Sequence, residues 1–253
     1  MTEEEILLCE ITGLERIDLY TRSLSLDSGQ KKEFDEAMLL RKKGMPLQYI
    51  IGKTEFYGLP FYVEQGVFIP RPETEVLVEA VINKCRGVLQ YAPTMLDLCT
   101  GSGCIAISLA KHLKCGKLIA TDISAKSVQI AEKNAILNGV ESKIEFRQAD
   151  LFDGLNGKFD IIVCNPPYIR RQELGSLPVE VSFDPEIALD GGEDGLNFYR
   201  KISAQAPIFL KENGMLVLEL GDGQAEGVKD MLNGKTEIIK DLNGIERVLI
   251  WTK

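Results

Sequence analysis

The chain has 253 residues, 45% hydrophobic and 26% charged. That composition excludes wholesale disorder, collagen and coiled coil, and the length allows a substantial core without disulfides or metals. A single histidine, His112, excludes a mechanism built on several histidines, and a formal net charge of -9 disfavours a broad basic surface for duplex nucleic acid.

The acidity is diffuse: residues 1–75 carry 9 basic and 14 acidic side chains, net -5, which leaves -4 for the rest. The N-terminus, MTEEEILLCEITG, is acidic where a signal peptide would be basic. No apolar run approaches the ~20 residues of a membrane span. A cytoplasmic protein that does not meet a membrane is the expectation. The six cysteines, at 9, 85, 99, 104, 115 and 164, form no C-x-x-C and have no histidine pair beside them. They read as reduced, mostly buried thiols, not as a metal site.

Hydrophobic spacing predicts helices within residues 3–20 and 30–43, the second stopped by Gly44 and Pro46. Alternating apolar residues over 53–69 predict a β-hairpin, with its turn at Gly58-Leu59-Pro60. Pro70 and Pro72 flank Arg71, and a helix is expected from Glu73 to about Leu89. From Met95 onward strand and helix alternate. Strands are expected at 95–99, 117–121, 142–147, 159–164, 214–220, 236–240 and 246–251, and helices at 103–113, 124–138, 194–211 and 223–232. Repeated βα units imply an α/β fold, a doubly wound and mostly parallel sheet with helices on both faces. The turn Asp241-Leu242-Asn243-Gly244 suits an antiparallel hairpin at the sheet's C-terminal edge. The expected domains are a helical one over 1–52, a hairpin linker over 53–70 and the α/β domain over 71–253.

The first α/β strand runs into Asp97-Leu98-Cys99-Thr100-Gly101-Ser102-Gly103, and a helix opens directly after it. Glycines there allow a sharp turn and close approach to a ligand beyond the strand's carboxyl end. The second strand ends in Asp122, followed by Ile123; an acid at that point accepts from a ribose diol. Ala106 at the third glycine position leaves a dinucleotide open. Asp97 beside a pyrophosphate is electrostatically poor, but beside an ammonium or sulfonium it is good, which favours S-adenosyl-L-methionine (SAM). Asp150 and Leu151, after the third strand, are candidates to border an adenine.

The fourth strand runs into Asn165-Pro166-Pro167-Tyr168. Two prolines remove two N–H donors and fix φ, leaving a rigid segment rich in acceptors. The Asn165 Oδ1 and the carbonyls suit an incoming –NH₂ group, and Tyr168 offers a flat face for a planar amide or base. Two acceptors can orient a planar amino nitrogen and stabilise the charge it gains on methylation. No histidine is needed; His112 reads as a surface residue.

Gly101, Gly103, Asp122 and Asn165-Pro166-Pro167-Tyr168 resemble the class I SAM-dependent methyltransferases of amino nitrogens. Gly44-Met45-Pro46-Leu47-Gln48-Tyr49-Ile50, Glu55-Phe56-Tyr57-Gly58 and Ile69-Pro70-Arg71-Pro72-Glu73-Thr74-Glu75 are similar to the release factor glutamine methyltransferase family (HemK/PrmC). So are the stretch from Pro185 to Gly195 and Glu219-Leu220-Gly221. The resemblance implies methyl transfer from SAM, leaving S-adenosyl-L-homocysteine, to the N5 amide of the glutamine in the Gly-Gly-Gln motif of class 1 peptide chain release factors. It implies that Asp97, Cys99, Thr100, Gly101, Ser102 and Gly103 surround the methionine part and that Asp122 and Ile123 border the ribose. Asp150, Leu151 and Asn165 would complete the cofactor site. Asn165, Pro166 and Tyr168 would be catalytic, with Pro167 in the substrate site. The helical domain would recognise the substrate. The family usually has Gly at position 99 and often an aromatic at 151. No metal, no direct nucleic-acid contact and a monomer are expected.

Two alternatives stand beside this reading: an N6-adenine methyltransferase of DNA or RNA, and a non-catalytic SAM-binding module. The acidic, glycine-rich stretch 190–195 does not fit a calcium loop, because Gly192 and Lys201 fall where ligands are needed. A mobile loop near the substrate is expected there, with the Arg71 segment near the cofactor.

Overall fold

The computed structural model describes residues 1–22, 24–88 and 92–253. The N-terminal helices are α1 (Glu3–Thr12), α2 (Arg16–Thr21), α3 (Ser28–Lys42) and α4 (Leu47–Ile51). Each start has a local cause. Thr2 and Glu5 form a capping box on α1, with the Thr2 hydroxyl accepting from the Glu5 N–H at 3.2 Å. The Asp27 carboxylate accepts from Gly29 and Gln30 N–H, both at 2.8 Å, to open α3. Gly13, at φ 70°, ends α1 and splits the 3–20 stretch into two helices. The short α4 has too few residues for a periodic signal and was not expected.

The hairpin follows as β1 (Lys53–Phe56) and β2 (Leu59–Tyr62). Its turn is Tyr57-Gly58, not Gly58-Leu59-Pro60. Phe56 pairs with Leu59, and both turn residues are left-handed, at φ 51° and 70°. A two-residue loop of that kind matches the twist of the flanking strands. The side chain of Asn134 fastens the hairpin to the α/β body: its Oδ1 accepts from Tyr62 N–H at 2.7 Å and its Nδ2 donates to Tyr62 O at 3.0 Å.

The α/β body then runs α5 (Glu75–Val88), β3 (Thr94–Leu98), α6 (Cys104–His112), β4 (Lys117–Asp122), α7 (Ala125–Leu137), β5 (Ile144–Gln148) and β6 (Phe159–Cys164). It closes with α8 (Asn197–Phe209), β7 (Leu210–Glu219), α9 (Ala225–Lys229), β8 (Lys235–Lys240) and β9 (Glu246–Thr252). A single 3-10 turn, Pro72–Thr74, leads into α5. The expected end of α5 at Leu89 lies outside the described residues.

The seven strands stand in the order β5-β4-β3-β6-β7-β9-β8, parallel through β7, with β9 antiparallel to both β7 and β8. Consecutive strand residues alternate between two cores. Met95, Leu118, Ala120, Ile161 and Val163 enter one; Leu96, Ile119, Ile162, Cys164 and Leu218 enter the other. Both faces are covered, so the strands read as continuous apolar runs. Chain order reverses between β3 and β6. Their carboxyl ends therefore frame a crevice that no connection crosses, where open α/β sheets bind ligands.

Candidate active site

Loops from both sides of that crevice line one cavity of about 300 Å³, within the range of small-molecule sites, ~300–1,000 Å³. Its walls include Cys99, Thr100, Gly101, Ser102, Asp122, Ile123, Asp150, Leu151, Asn165, Pro166, Pro167 and Tyr168. Sequence reasoning had placed these residues in two sites, one for cofactor and one for acceptor. The fold brings them into a single space. Asp97 and Gly103 stand behind the wall.

The glycine loop is held by its own acids. The Asp122 carboxylate accepts from Gly101 N–H at 2.8 Å through Oδ2 and from Ser124 N–H at 2.9 Å through Oδ1. A carboxylate oxygen has two acceptor sites, so Asp122 retains capacity for a hydroxyl. Burial raises its pKa above the ordinary aspartate value. Asp97 is fully buried, and its Oδ2 accepts from Thr100 Oγ1 at 2.6 Å. Gly101, at φ 56°, has open space where a Cβ would point. Gly103 has another function: at φ 83°, a Cβ there would stand 3.0 Å from Ala131 Cβ and from Ile107 Cδ1. It lets α6 and α7 pack closely.

Cys99 and Leu151 both have left-handed backbone, at φ 56° and 49°. Glycine adopts that conformation without cost, and other side chains are strained in it. Cys99 thus holds a backbone conformation that glycine would adopt at lower cost. Leu151 is buried and completes the core beneath the cavity.

On the other side, Asn165 Nδ2 donates to Thr74 Oγ1 at 3.1 Å. No donor among the described residues reaches its Oδ1, which remains as an acceptor. The Tyr168 backbone is clamped: its carbonyl accepts from Gln224 Nε2 at 2.9 Å. Gly191 packs so close behind it that a Cβ there would stand 2.8 Å from Tyr168 Cα. Stretch 190–195 is therefore an anchored cradle. Gly191 N–H donates to Ile169 O at 2.8 Å, and Arg171 N–H donates to Gly192 O at 2.9 Å. Two of its three carboxylates are paired, Asp190 with Arg171 and Asp194 with Arg200.

Sequence reasoning gave no role to several wall residues: Phe68, Thr74, Ile187, Phe198 and Lys201. Thr74 lies inside a motif already noted, but only the fold sets it against Asn165. Arg71 does line the cavity, as expected, stacked over the Phe68 ring at 5.1 Å and paired with Asp184. The Asp184 side chain has no exposure. It also accepts from Tyr49 Oη at 2.7 Å and Ile69 N–H at 3.3 Å. That cluster ties α4 and the linker to the chain that follows Tyr168. His112 is exposed; its Nδ1 lies 2.9 Å from Ser108 O and its ring meets Tyr57 edge-on.

Comparison with known proteins now bears on what this cavity belongs to. Residues 2–52 match the model of the PrmC N-terminal domain, and residues 60–179 match the methyltransferase small domain. The release factor glutamine methyltransferase of Thermodesulfovibrio yellowstonii is 40% identical over 99% of this chain and 92% of its own length. The chain belongs to the release factor glutamine methyltransferase family.

The like-named protein of Clostridium acetobutylicum is 38% identical over 99% of this chain and 90% of its own. Among solved structures, a ribosomal protein L11 methylase from Lactobacillus delbrueckii superposes with a TM-score of 0.54 at 25% identity. It covers 76% of this chain and 84% of its own. A methyltransferase from Pyrococcus furiosus superposes with a TM-score of 0.59 at 18% identity, covering 89% and 98%. These likenesses establish the class I methyltransferase architecture. No helix among the described residues is long and apolar enough to cross a membrane.

Proposed function

We propose that this protein transfers a methyl group from SAM to the N5 amide of the glutamine in the Gly-Gly-Gln motif of class 1 release factors. The observation that carries it is Asn165. Its amide NH₂ is engaged by Thr74, and its oxygen is free on the wall shared with the glycine loop.

The cavity suits SAM by its charges. Acids, Asp122 and Asp150, line the cofactor end. The cations on the wall, Arg71 and Lys201, belong to the segment just after the linker and to α8, and Arg71 is already paired. That arrangement fits a ribose diol and a cationic ligand better than a pyrophosphate. Cys99, Thr100, Gly101 and Ser102 would face the methionine part, Asp122 and Ile123 the ribose, and Asp150 and Leu151 the adenine. SAM, when bound, supplies an electrophilic methyl group on a sulfonium.

The protein's part is to present the nitrogen. Asn165 Oδ1 and the Pro166 carbonyl accept from the two N–H bonds of the acceptor amide. That fixes the nitrogen's direction and stabilises the positive charge it acquires. The consecutive prolines hold those acceptors and offer no competing donor. Tyr168 packs its ring on the amide plane. The reaction needs no general base: the amide nitrogen's surplus proton becomes acidic only after it is alkylated and is then lost to water.

The domain reading is part of the same proposal. Residues 1–52 serve recognition, 53–70 link, and 71–253 carry the chemistry, as monomer in the cytoplasm. The match to the PrmC N-terminal domain ends at residue 52, where the linker begins, and the match to the methyltransferase small domain starts at residue 60, within it. Incubating the purified protein with labelled SAM and either release factor or naked nucleic acid tests the reading. Label on the release factor glutamine is expected; label only on nucleic acid would favour the adenine alternative.

A further inference from the structure

We propose that Thr74 and Glu219 are positioning residues that hold the Asn165 amide with its oxygen turned to the acceptor nitrogen. The inference rests on the reading of Asn165 above as the acceptor of an amide N–H.

Thr74 and Glu219 are buried, at 2% and 1% exposure, beside the NPPY segment. Thr74 Oγ1 receives Asn165 Nδ2 at 3.1 Å. The Thr74 and Tyr168 hydroxyls lie beside the Glu219 carboxyl and lower its pKa. Glu219 Oε2 has no hydrogen-bond partner among the described residues. The Glu219 main chain is fixed as well, its carbonyl accepting from Tyr199 Oη at 2.8 Å.

A hydroxyl has one proton. When Thr74 gives it to the Glu219 carboxylate, only oxygen lone pairs face Asn165. The amide can then meet Thr74 only through its NH₂ end, and Oδ1 must point into the cavity. A reversed amide would set oxygen against oxygen. Among the described residues no other hydrogen bond engages either end of the Asn165 side chain, and the two ends have nearly the same shape.

The arrangement depends on Glu219 being ionised. Burial pushes its pKa from 4.5 up to about 7, against the Thr74 hydroxyl and Arg247, which lower it. Glu73 raises it and Tyr168 lowers it; Tyr199 and Cys104 also face it. A protonated Glu219 no longer requires the Thr74 proton. Thr74 can then donate to Asn165 Oδ1 and consume the acceptor the reaction needs. Turnover should therefore rise with pH through about 7.

The test uses full-length protein labelled with ¹⁵N, and Thr74→Val, Thr74→Ser and Glu219→Gln. The Asn165 side-chain NH₂ resonances are assigned by their loss in Asn165→Asp. In the wild type they should titrate near pH 7, move in Thr74→Val, stay in place in Thr74→Ser and cease to titrate in Glu219→Gln. With release factor as substrate, Thr74→Val should lower kcat by about 10- to 100-fold, on the scale of a misplaced polar group at a reacting atom. SAM affinity by calorimetry should stay within about twofold, and Thr74→Ser should keep at least about half the turnover, since the hydroxyl is retained. Glu219→Gln should give low turnover with no acid limb.

Unmoved NH₂ resonances in Thr74→Val, or Thr74→Ser as impaired as Thr74→Val, would overturn the relay. Should Thr74→Val fail to fold, the Glu219→Gln titration decides alone. A wild type that binds SAM yet leaves release factor unmethylated refutes the functional reading instead; the resonance titration then still decides the relay.

Discussion

Replacing Asp97 with Asn tests the electrostatics beneath the glycine loop. Asp97 has no exposure, one oxygen is held by Thr100, and Oδ1 lacks a partner of good geometry among the described residues. Burial pushes its pKa from 3.8 up to about 7, against the Thr100 hydroxyl and the Ala106 N–H, with Asp122 adding to the rise. The folded chain thus holds this proton more tightly than the unfolded chain. Between about pH 4 and pH 7 folding takes up a proton, so stability falls as pH rises, and the loss is complete above about pH 7. A rise of roughly 3 pH units at 1.36 kcal/mol each sets a ceiling of about 4 kcal/mol. For a chain of this length that is on the order of 10 °C in Tm.

The amide introduced by Asp97→Asn cannot titrate but can still accept from Thr100. The difference in Tm between Asp97→Asn and wild type should therefore widen in the variant's favour from pH 5 to pH 8.5. Glu219 titrates over the same range in both proteins and cancels in the comparison. Thermal melts across that range, without SAM, are the assay. A difference that stays constant within about 1 °C, or narrows with pH, would refute the reasoning. Cofactor binding adds a second reading. If Asp97 serves the SAM cations from behind the wall, wild-type affinity should strengthen through pH 7, and the variant's should not.

Further outcomes follow from the same contacts. Asn165→Ala should lower kcat by about 100-fold or more while SAM affinity stays within a few-fold, because its oxygen acts on the nucleophile; parallel losses, by kinetics and calorimetry, would contradict that role. Tyr49→Phe removes a hydroxyl placed 2.7 Å from the buried Asp184 carboxylate. A hydrogen bond to a charge contributes about 1.5–3 kcal/mol, so a melt should show a Tm several degrees lower; a change under about 1 °C would refute it. Gly191→Ala sets a Cβ 2.8 Å from Tyr168 Cα. It should depress turnover far more than SAM binding, and wild-type steady-state kinetics would show that the cradle does not set Tyr168.

Much of this fold is written in local pattern. The runs at 117–121 and 159–164 became β4 and β6 with little change at their ends. The strand expected at 214–220 begins four residues earlier, at Leu210. Lys211 and Glu212 broke the apolar signal there, yet backbone pairing with Phe159 carries the strand through them. The hairpin turn was misplaced because Gly58-Leu59-Pro60 carries strong turn residues, whereas Tyr57 adopts a left-handed conformation that only the pairing register demands. At the site, Asn165 and its prolines were legible because their chemistry is contiguous in sequence. Thr74, Asp184 and Glu219 were not, since each acquires its partner from a residue 91, 113 or more positions away, or from a burial that no local pattern encodes. The 190–195 stretch reads in sequence as a mobile loop near the substrate; its arginine partners and packing on Tyr168 are tertiary facts.

The most direct measurement is mass spectrometry of the Gly-Gly-Gln peptide from a release factor incubated with this protein and SAM. One added methyl group on the glutamine side chain, absent without the protein and strongly reduced with Asn165→Ala, is the predicted result. An unmodified glutamine under conditions where the protein binds SAM would contradict the account.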